Sequence, residues 1–267
     1  LRDRVAPACR FLFLLAALLS TLRHPPIFIV VDALAVTPAP VRCVFGMRGF
    51  GKTTLARELV AAEPRVLAYD PLDEHGCLAL EWEAFKAYVE ANLPRPRFRL
   101  ALVDDAEWSE DFCAIARVLA ERQPGYTLLL EEADLVAEPG HEPPVFKWLM
   151  RRGRHFGVAV VACTRRPAEL SRNVTAFASD MYVFRTQEPR DLVYLTGYLG
   201  RDAAAVVEEL PLPVITSSTL TVQYVHWTLR GWRVETLVKR ISGGAGTASS
   251  SEGPKDSLEP GSEKNRE

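Results

Sequence analysis

The chain has 267 residues, a formal net charge of −2 and 48% apolar residues, room for one α/β domain with trimmings or, at a stretch, two small domains. A charge this close to zero neither favours nor excludes a nucleic-acid partner, because local patches decide that question. The five cysteines, Cys9, Cys43, Cys77, Cys113 and Cys163, are odd in number and form no CxxC pair. They exclude a zinc ribbon, supply no disulfide framework and suit a reducing compartment.

Residues 1–40 read as a hydrophobic N-terminal extension. Arg2, Arg4 and Arg10 precede an apolar run from Phe11 to Leu22, with Ala33-Leu34-Ala35 further on, the layout of a signal peptide. That run falls well short of the ~20 residues a membrane-spanning helix needs. Two readings stay open: an extension upstream of a functional start near Val36 or Val41, and a membrane anchor or extra strand within residues 11–36. From Val41 onward, buried-strand patterns alternate with helical ones. Strands are expected at Val41–Phe45, Arg65–Tyr69, Phe98–Val103, Tyr126–Leu130, Gly157–Cys163 and Met181–Arg185. Helices are expected from Lys52 to about Ala62, Glu81–Leu93, Ser109 (as cap) to about Arg122, Val145–His155, Pro189–Leu199 and Asp202–Leu210. Thr219–His226 and Trp232–Leu237 read as a β-hairpin turning near Arg230-Gly231. This order predicts an α/β domain over residues 41–240, a mostly parallel sheet with helices on both faces and a C-terminal β-hairpin. Residues 241–267 shift to Gly, Ser, Pro and charge and read as a disordered tail.

Between the first strand and the first helix, Gly46, Gly51, Lys52 and Thr53 meet the spacing GxxxxGK[ST]. The glycines let a loop turn its backbone N–H groups inward around a phosphate, and the positive end of the following helix faces the same anion. Lys52 would supply a point charge to the β- and γ-phosphates and Thr53 a hydroxyl to Mg²⁺. Gly46, Met47, Arg48, Gly49, Phe50, Gly51, Lys52, Thr53 and Thr54 are therefore the candidate ATP-binding residues. The alternative, a glycine turn followed by a surface lysine, does not account for the flanking strand and helix.

Such a loop needs an acid on another strand to hold the Mg²⁺ shell and activate water. Two sites compete: Glu131-Glu132, after the apolar Leu128-Leu129-Leu130, and Asp104-Asp105, after Leu102-Val103. The first is preferred because its strand is the more apolar; Glu131 would then orient the metal and Glu132 act as base toward water. Asp104 and Asp105 would be a solvated turn.

At this point the residues resemble the HerA/FtsK-like branch of P-loop ATPases, from about Val41 to Tyr198. Besides the loop, Arg65-Val66-Leu67-Ala68-Tyr69-Asp70-Pro71 is similar to the branch's second strand, Leu149–Gly157 to the basic helix end before its sensor strand, and Cys163-Thr164-Arg165-Arg166-Pro167 to a segment usually reading Thr-Gln-Arg-Pro. The resemblance implies a RecA-like sheet, ring assembly, ATP hydrolysis at subunit interfaces and a nucleic-acid strand as cargo. Two positions depart from it. Glu131 stands where Asp is usual, and Arg165 where a sensor Gln is usual, which puts the γ-phosphate sensor in doubt and leaves Thr164 to fill part of that role.

Lys147, Arg151, Arg152, Arg154, Arg165, Arg166 and Arg172 face only one acid, Glu169, between residues 145 and 173. One arginine can act as a finger on a neighbour's ATP while others contact DNA phosphates; alternatively, the cations complement a helix dipole. Arg151, Arg152 and Arg154 are the finger candidates, because they precede the strand ending at Thr164. The expected protein is a cytoplasmic ATP-hydrolysing motor, a homo-oligomeric ring driving DNA translocation or packaging. Its rivals are a membrane-associated assembly or secretion ATPase of the zonular-occludens-toxin kind with a membrane, virion or secretion partner, a small-molecule kinase with the three arginines as lid, and a regulator that no longer hydrolyses. Ile241-Ser242-Gly243-Gly244 reads as linker, no Asn-Lys-x-Asp guanine motif occurs, and the histidines show no metal-ligand spacing.

Overall fold

The computed structural model describes residues 39–93, 95–104 and 108–240. The readings made for residues 1–38, Asp105 and the tail from Ile241 onward lie outside them. The described strands are β1 (Val41–Phe45), β2 (Arg65–Tyr69), β3 (Leu78–Leu80), β4 (Phe98–Leu102), β5 (Thr127–Leu130), β6 (Ala159–Thr164), β7 (Asp180–Phe184), β8 (Val214–Ile215), β9 (Thr219–Thr228) and β10 (Gly231–Arg240). The helices are α1 (Lys52–Val60), α2 (Trp82–Asn92), α3 (Ser109–Arg122), α4 (Ala133–Val136), α5 (Pro144–Arg152), α6 (Arg172–Thr175), α7 (Pro189–Leu199) and α8 (Arg201–Glu209), with a 3₁₀ turn at Gly153–Phe156 after α5.

All the strands join one sheet in the order β10-β9-β7-β1-β6-β5-β2-β4-β3, with β8 beside β9. From β7 to β3 every pairing is parallel; β9, β10 and β8 add an antiparallel extension. Parallel strands need both faces covered, and the strand residues alternate accordingly. Cys43 and Phe45 of β1 and Leu67 and Tyr69 of β2 enter one core, with Phe85, Phe112, Phe146, Leu195 and Val207 from α2, α3, α5, α7 and α8. Val44, Val66 and Ala68 face the other, with Leu55 and Val60 of α1 and Val222 and Leu237 of the hairpin. This is the mostly parallel sheet, with helices on both faces, that the alternating pattern predicts.

Differences from the expected elements have local causes. The pairs Gly231↔Thr228 through Arg240↔Thr219 make a longer hairpin than its apolar residues alone suggest. Ser109 does not cap α3: it is the first helical residue, and Trp108 occupies the cap position without a side-chain bond. β3, β8, α4 and α6, of two to four residues each, are too short to leave a periodic signal. Among the described cysteines, Cys43, Cys113 and Cys163 are buried free thiols and serve as small core residues. No described helix is long and apolar enough to cross a membrane.

The core on the α2–α3 side centres on Phe112, which is wholly buried against the rings of Tyr69 and Phe85, with centroids 5.7 and 6.0 Å away. Phe112→Ala should cost about 3–5 kcal/mol in urea unfolding. Val193→Ala on the exposed face of α7 should stay within about 0.5 kcal/mol.

Candidate functional site

β1 ends at Phe45, and the chain turns through Gly46–Gly51 into α1. Gly46 adopts φ +147°, and a Cβ there would stand 2.5 Å from Cβ of Phe184 on β7. Gly51 adopts φ +90°, and its Cβ would meet Val222 and Leu237 at 3.1 and 3.2 Å. The loop thus leans on β7 and on the hairpin, so side chains are excluded by contact as well as by backbone conformation. Behind it, Lys52 is buried and its Nζ donates to the Met47 carbonyl at 3.2 Å. Burial pulls its pKa down, and the Glu131 carboxylate is the strongest opposing influence.

The loop opens onto a cleft of about 640 Å³ lined by Arg48, Gly49, Gly51, Lys52, Thr53, Thr54, Leu72, Glu74, Glu131, Glu132, Thr164, Arg165 and Leu220. Three expected nucleotide ligands, Gly46, Met47 and Phe50, do not line it. Phe50 instead turns its ring into the core beside α1, leaving only its backbone to the loop.

Strand order decides where the acids lie. β6 separates β1 from β5, and all three run parallel, so the residues after Phe45, Leu130 and Thr164 emerge at one edge. Thr53 Oγ1 lies 3.4 Å from Glu131 Oε1 and 3.2 Å from Oε2 of Glu74, which comes from the loop after β2. Glu131 Oε2 accepts from His75 Nε2 at 2.7 Å. Cys163, on the strand behind, also bonds Glu131; burial first, then that carboxylate, push its thiol well up and keep it protonated. Glu132 holds a left-handed φ of +53°, rare for a residue with a side chain, and its carboxylate pairs with Arg165.

Asp104 is placed elsewhere. It follows the end of β4 by two residues, four strands from β1, or ~19 Å at ~4.8 Å per strand. Its carboxylate accepts from the Trp82 backbone N–H at 3.1 Å and so caps α2 instead of standing in a solvated turn.

The basic residues divide between the two edges. Thr164 ends β6 opposite Phe45; it is buried, and its Oγ1 accepts from the Arg166 N–H at 3.0 Å. Arg165 lines the cleft, whereas Arg166 is engaged by Asp191, Glu169 and Glu188. Arg151, Arg152 and Arg154 sit at the end of α5 and in the 3₁₀ turn before β6, where the Phe156 carbonyl accepts from Gly125 ahead of β5. That is the opposite edge. The six residues of β6 separate the three arginines from the chain's own cleft by ~20 Å.

Glu74 and His75 belong to the site and carried no motif; Asp70, at the end of the second-strand segment, belongs to it as well. The Asp70 carboxylate, wholly buried, accepts from the backbone N–H groups of Glu74 and His75 at 3.1 and 2.9 Å and folds the loop back toward β5. The available signal was a polar run directly after a buried parallel strand, because every such run emerges at the same edge.

The Thr53 hydroxyl stands here 3.2 and 3.4 Å from an oxygen of each of two carboxylates. Neighbouring donors of an octahedral Mg²⁺ with ~2.0–2.1 Å bonds stand roughly 3 Å apart, and such an ion takes few protein ligands, sharing the rest with phosphates and water. The donor set fits Mg²⁺ through Thr53, Glu131 and Glu74. Among the described residues no group of three or more His, Cys, Asp or Glu forms an all-protein metal cage.

No protein-family model and no curated protein matches the chain in sequence. Solved structures match in fold. The genome-packaging NTPase B204 from Sulfolobus turreted icosahedral virus 2, in complex with ATP-gammaS, is 14% identical with TM-score 0.57; the match covers 74% of this chain and 96% of that one. Its sulfate complex is 16% identical with TM-score 0.58 and the same coverage. The N-terminal domain of zonular occludens toxin from Neisseria meningitidis is 13% identical over 75% of this chain and 93% of that one, but its TM-score of 0.42 carries no weight. Identities this low show a shared fold and nothing finer.

Asp104→Ala should lower stability by about 1 kcal/mol through the lost α2 cap and leave nucleotide affinity within twofold. Glu131→Ala should weaken Mg²⁺-dependent nucleotide binding at least tenfold. A fluorescent-nucleotide titration beside a urea melt separates the two effects.

Proposed function

We propose that this chain is the subunit of an ATP-driven motor of the HerA/FtsK-like type, hydrolysing ATP between identical subunits to translocate or package DNA. The observation carrying the proposal is the convergence of Thr53 and Glu131, with Glu132 beside them, at the mouth of a phosphate loop. A kinase has no use for a second acid that activates water, whereas a hydrolase needs one.

In this reading the loop N–H groups and Lys52 hold the phosphates, and Thr53, Glu131 and Glu74 hold Mg²⁺. When bound, the ion neutralises charge on the β- and γ-oxygens. Glu132 takes the proton from the attacking water. For that, its carboxylate must leave Arg165, and a γ-phosphate in the cleft gives the guanidinium a second anion to turn to. Arg165 then fills the sensor role that a Gln would have had, with Thr164 beside it.

One of Arg151, Arg152 and Arg154 acts on the neighbouring subunit. Their position at the far edge from their own loop counts against a kinase lid closing on its own phosphates and suits a ring in which one subunit's lower edge meets the next one's cleft. DNA as cargo is supported by the fold shared with a genome-packaging NTPase and by the local excess of cations in a chain of net charge −2. Phosphate contacts of that kind weaken as salt rises.

Lys52→Ala protein and one of the three variants Arg151→Ala, Arg152→Ala and Arg154→Ala should each be inactive alone, that arginine variant by ~10³-fold or more. Mixed, they form interfaces joining an intact loop to an intact arginine. Phosphate release should partly return and rise further with DNA at low salt. A strictly monomeric protein whose mixed variants stay inactive and which ignores DNA would contradict the motor.

A further inference from the structure

We propose that His75 is a positioning residue for the metal-holding acid: it clamps one oxygen of Glu131 so that the other faces Thr53. The inference deepens the nucleotide-site reading and rests on it.

Glu131 has two carboxylate oxygens and a terminal torsion that is broad when nothing holds it. Here each oxygen has its own partner. Oε2 accepts from His75 Nε2 at 2.7 Å, and Oε1 faces the Thr53 hydroxyl at 3.4 Å. The pair is closed to solvent, with side-chain exposures of 0% for His75 and 6% for Glu131. Since an ionised carboxylate only accepts, the ring must carry its proton on Nε2. The histidine is itself fixed: its backbone N–H donates to the buried Asp70 carboxylate at 2.9 Å, and that of Glu74 does so at 3.1 Å. A chain of contacts therefore runs from Asp70 through the loop to His75, Glu131 and Thr53, and Glu74 is brought to the same hydroxyl by the same loop.

A histidine kept for packing alone would be an odd occupant. Its Nδ1 is buried with no hydrogen-bond partner among the described residues, a cost that a leucine or phenylalanine of similar bulk would not carry. What the ring offers in return is a directed N–H against the carboxylate. Outer partners of this kind orient a metal ligand, and their loss typically costs ~10–100-fold in metal affinity.

The test compares His75→Phe, which keeps a ring without the donor, with His75→Gln, whose amide nitrogen stands as many bonds from Cγ as Nε2 does. Binding of a fluorescent non-hydrolysable ATP analogue is titrated with Mg²⁺, and each variant is melted thermally. The expected result for His75→Phe is an Mg²⁺ midpoint raised ~10–100-fold, with analogue binding in EDTA unchanged. His75→Gln should return the midpoint to within a few-fold of the unaltered protein. An unshifted midpoint in His75→Phe overturns the proposal, as does an equal shift in both variants. Should His75→Phe fail to fold, His75→Asn replaces it: its shorter amide cannot reach Glu131, so its midpoint must exceed that of His75→Gln, and equal midpoints overturn the proposal. If the unaltered protein shows no Mg²⁺-dependent analogue binding, the nucleotide-site reading fails and this proposal with it, a result distinct from a failure confined to His75.

Discussion

Everything at the cleft depends on one constraint: parallel strands send all their C-terminal ends to the same edge of the sheet. The residues following β1, β2, β5 and β6 are far apart in sequence, yet the hydrogen-bonded register brings them together. Phe45 lies beside Thr164, Val44 beside Cys163, Leu130 beside Ala162 and Tyr69 beside Leu130. The phosphate loop, the Asp70–His75 loop, Glu131 and Thr164 are the polar groups that the ends of these strands deliver. Apolar alternation builds the sheet, and the sheet assembles the site. Loss of one strand's register would shift its polar residue by ~3.3 Å per step and break the set.

The same constraint separates functions. Whatever precedes a strand lies at the opposite edge, so Arg151, Arg152 and Arg154, a few residues before β6, are held ~20 Å from the cleft that β6 helps to build. Rigid strands make this separation permanent. The antiparallel extension adds a second support, because Val222 and Leu237 press on Gly51 and tie the loop to the edge of the sheet beyond β7. A shift of the hairpin would reach the phosphate loop through these contacts and the cleft itself through Leu220.

Much of this was legible in the residues. Buried runs such as Val41–Phe45 and Ala159–Cys163 leave few alternatives to a parallel strand, and the glycine spacing from Gly46 to Thr53 marks the phosphate loop between β1 and α1. Short elements such as Leu78–Leu80 were silent, because three residues have no period. Strand order was not readable either, and it decides between Glu131 and Asp104: both come after apolar strands, but only β5 lies two positions from β1. His75 was invisible for a related reason. Its meaning comes from a contact with a residue 56 positions away, which no spacing rule covers. Arg165 looked like a mere departure from a sensor residue until its partner Glu132 was in view.

In the motor we propose, separation of the three arginines from their own cleft would make hydrolysis a property of the interface and not of the single chain. The most direct measurement is the specific ATPase rate across a hundredfold dilution, with particle mass followed by light scattering in the same samples. An interface site requires the rate per subunit to fall as the assembly dissociates and to level off once the ring is complete. A rate per subunit that stays constant while the mass is that of a monomer would contradict it.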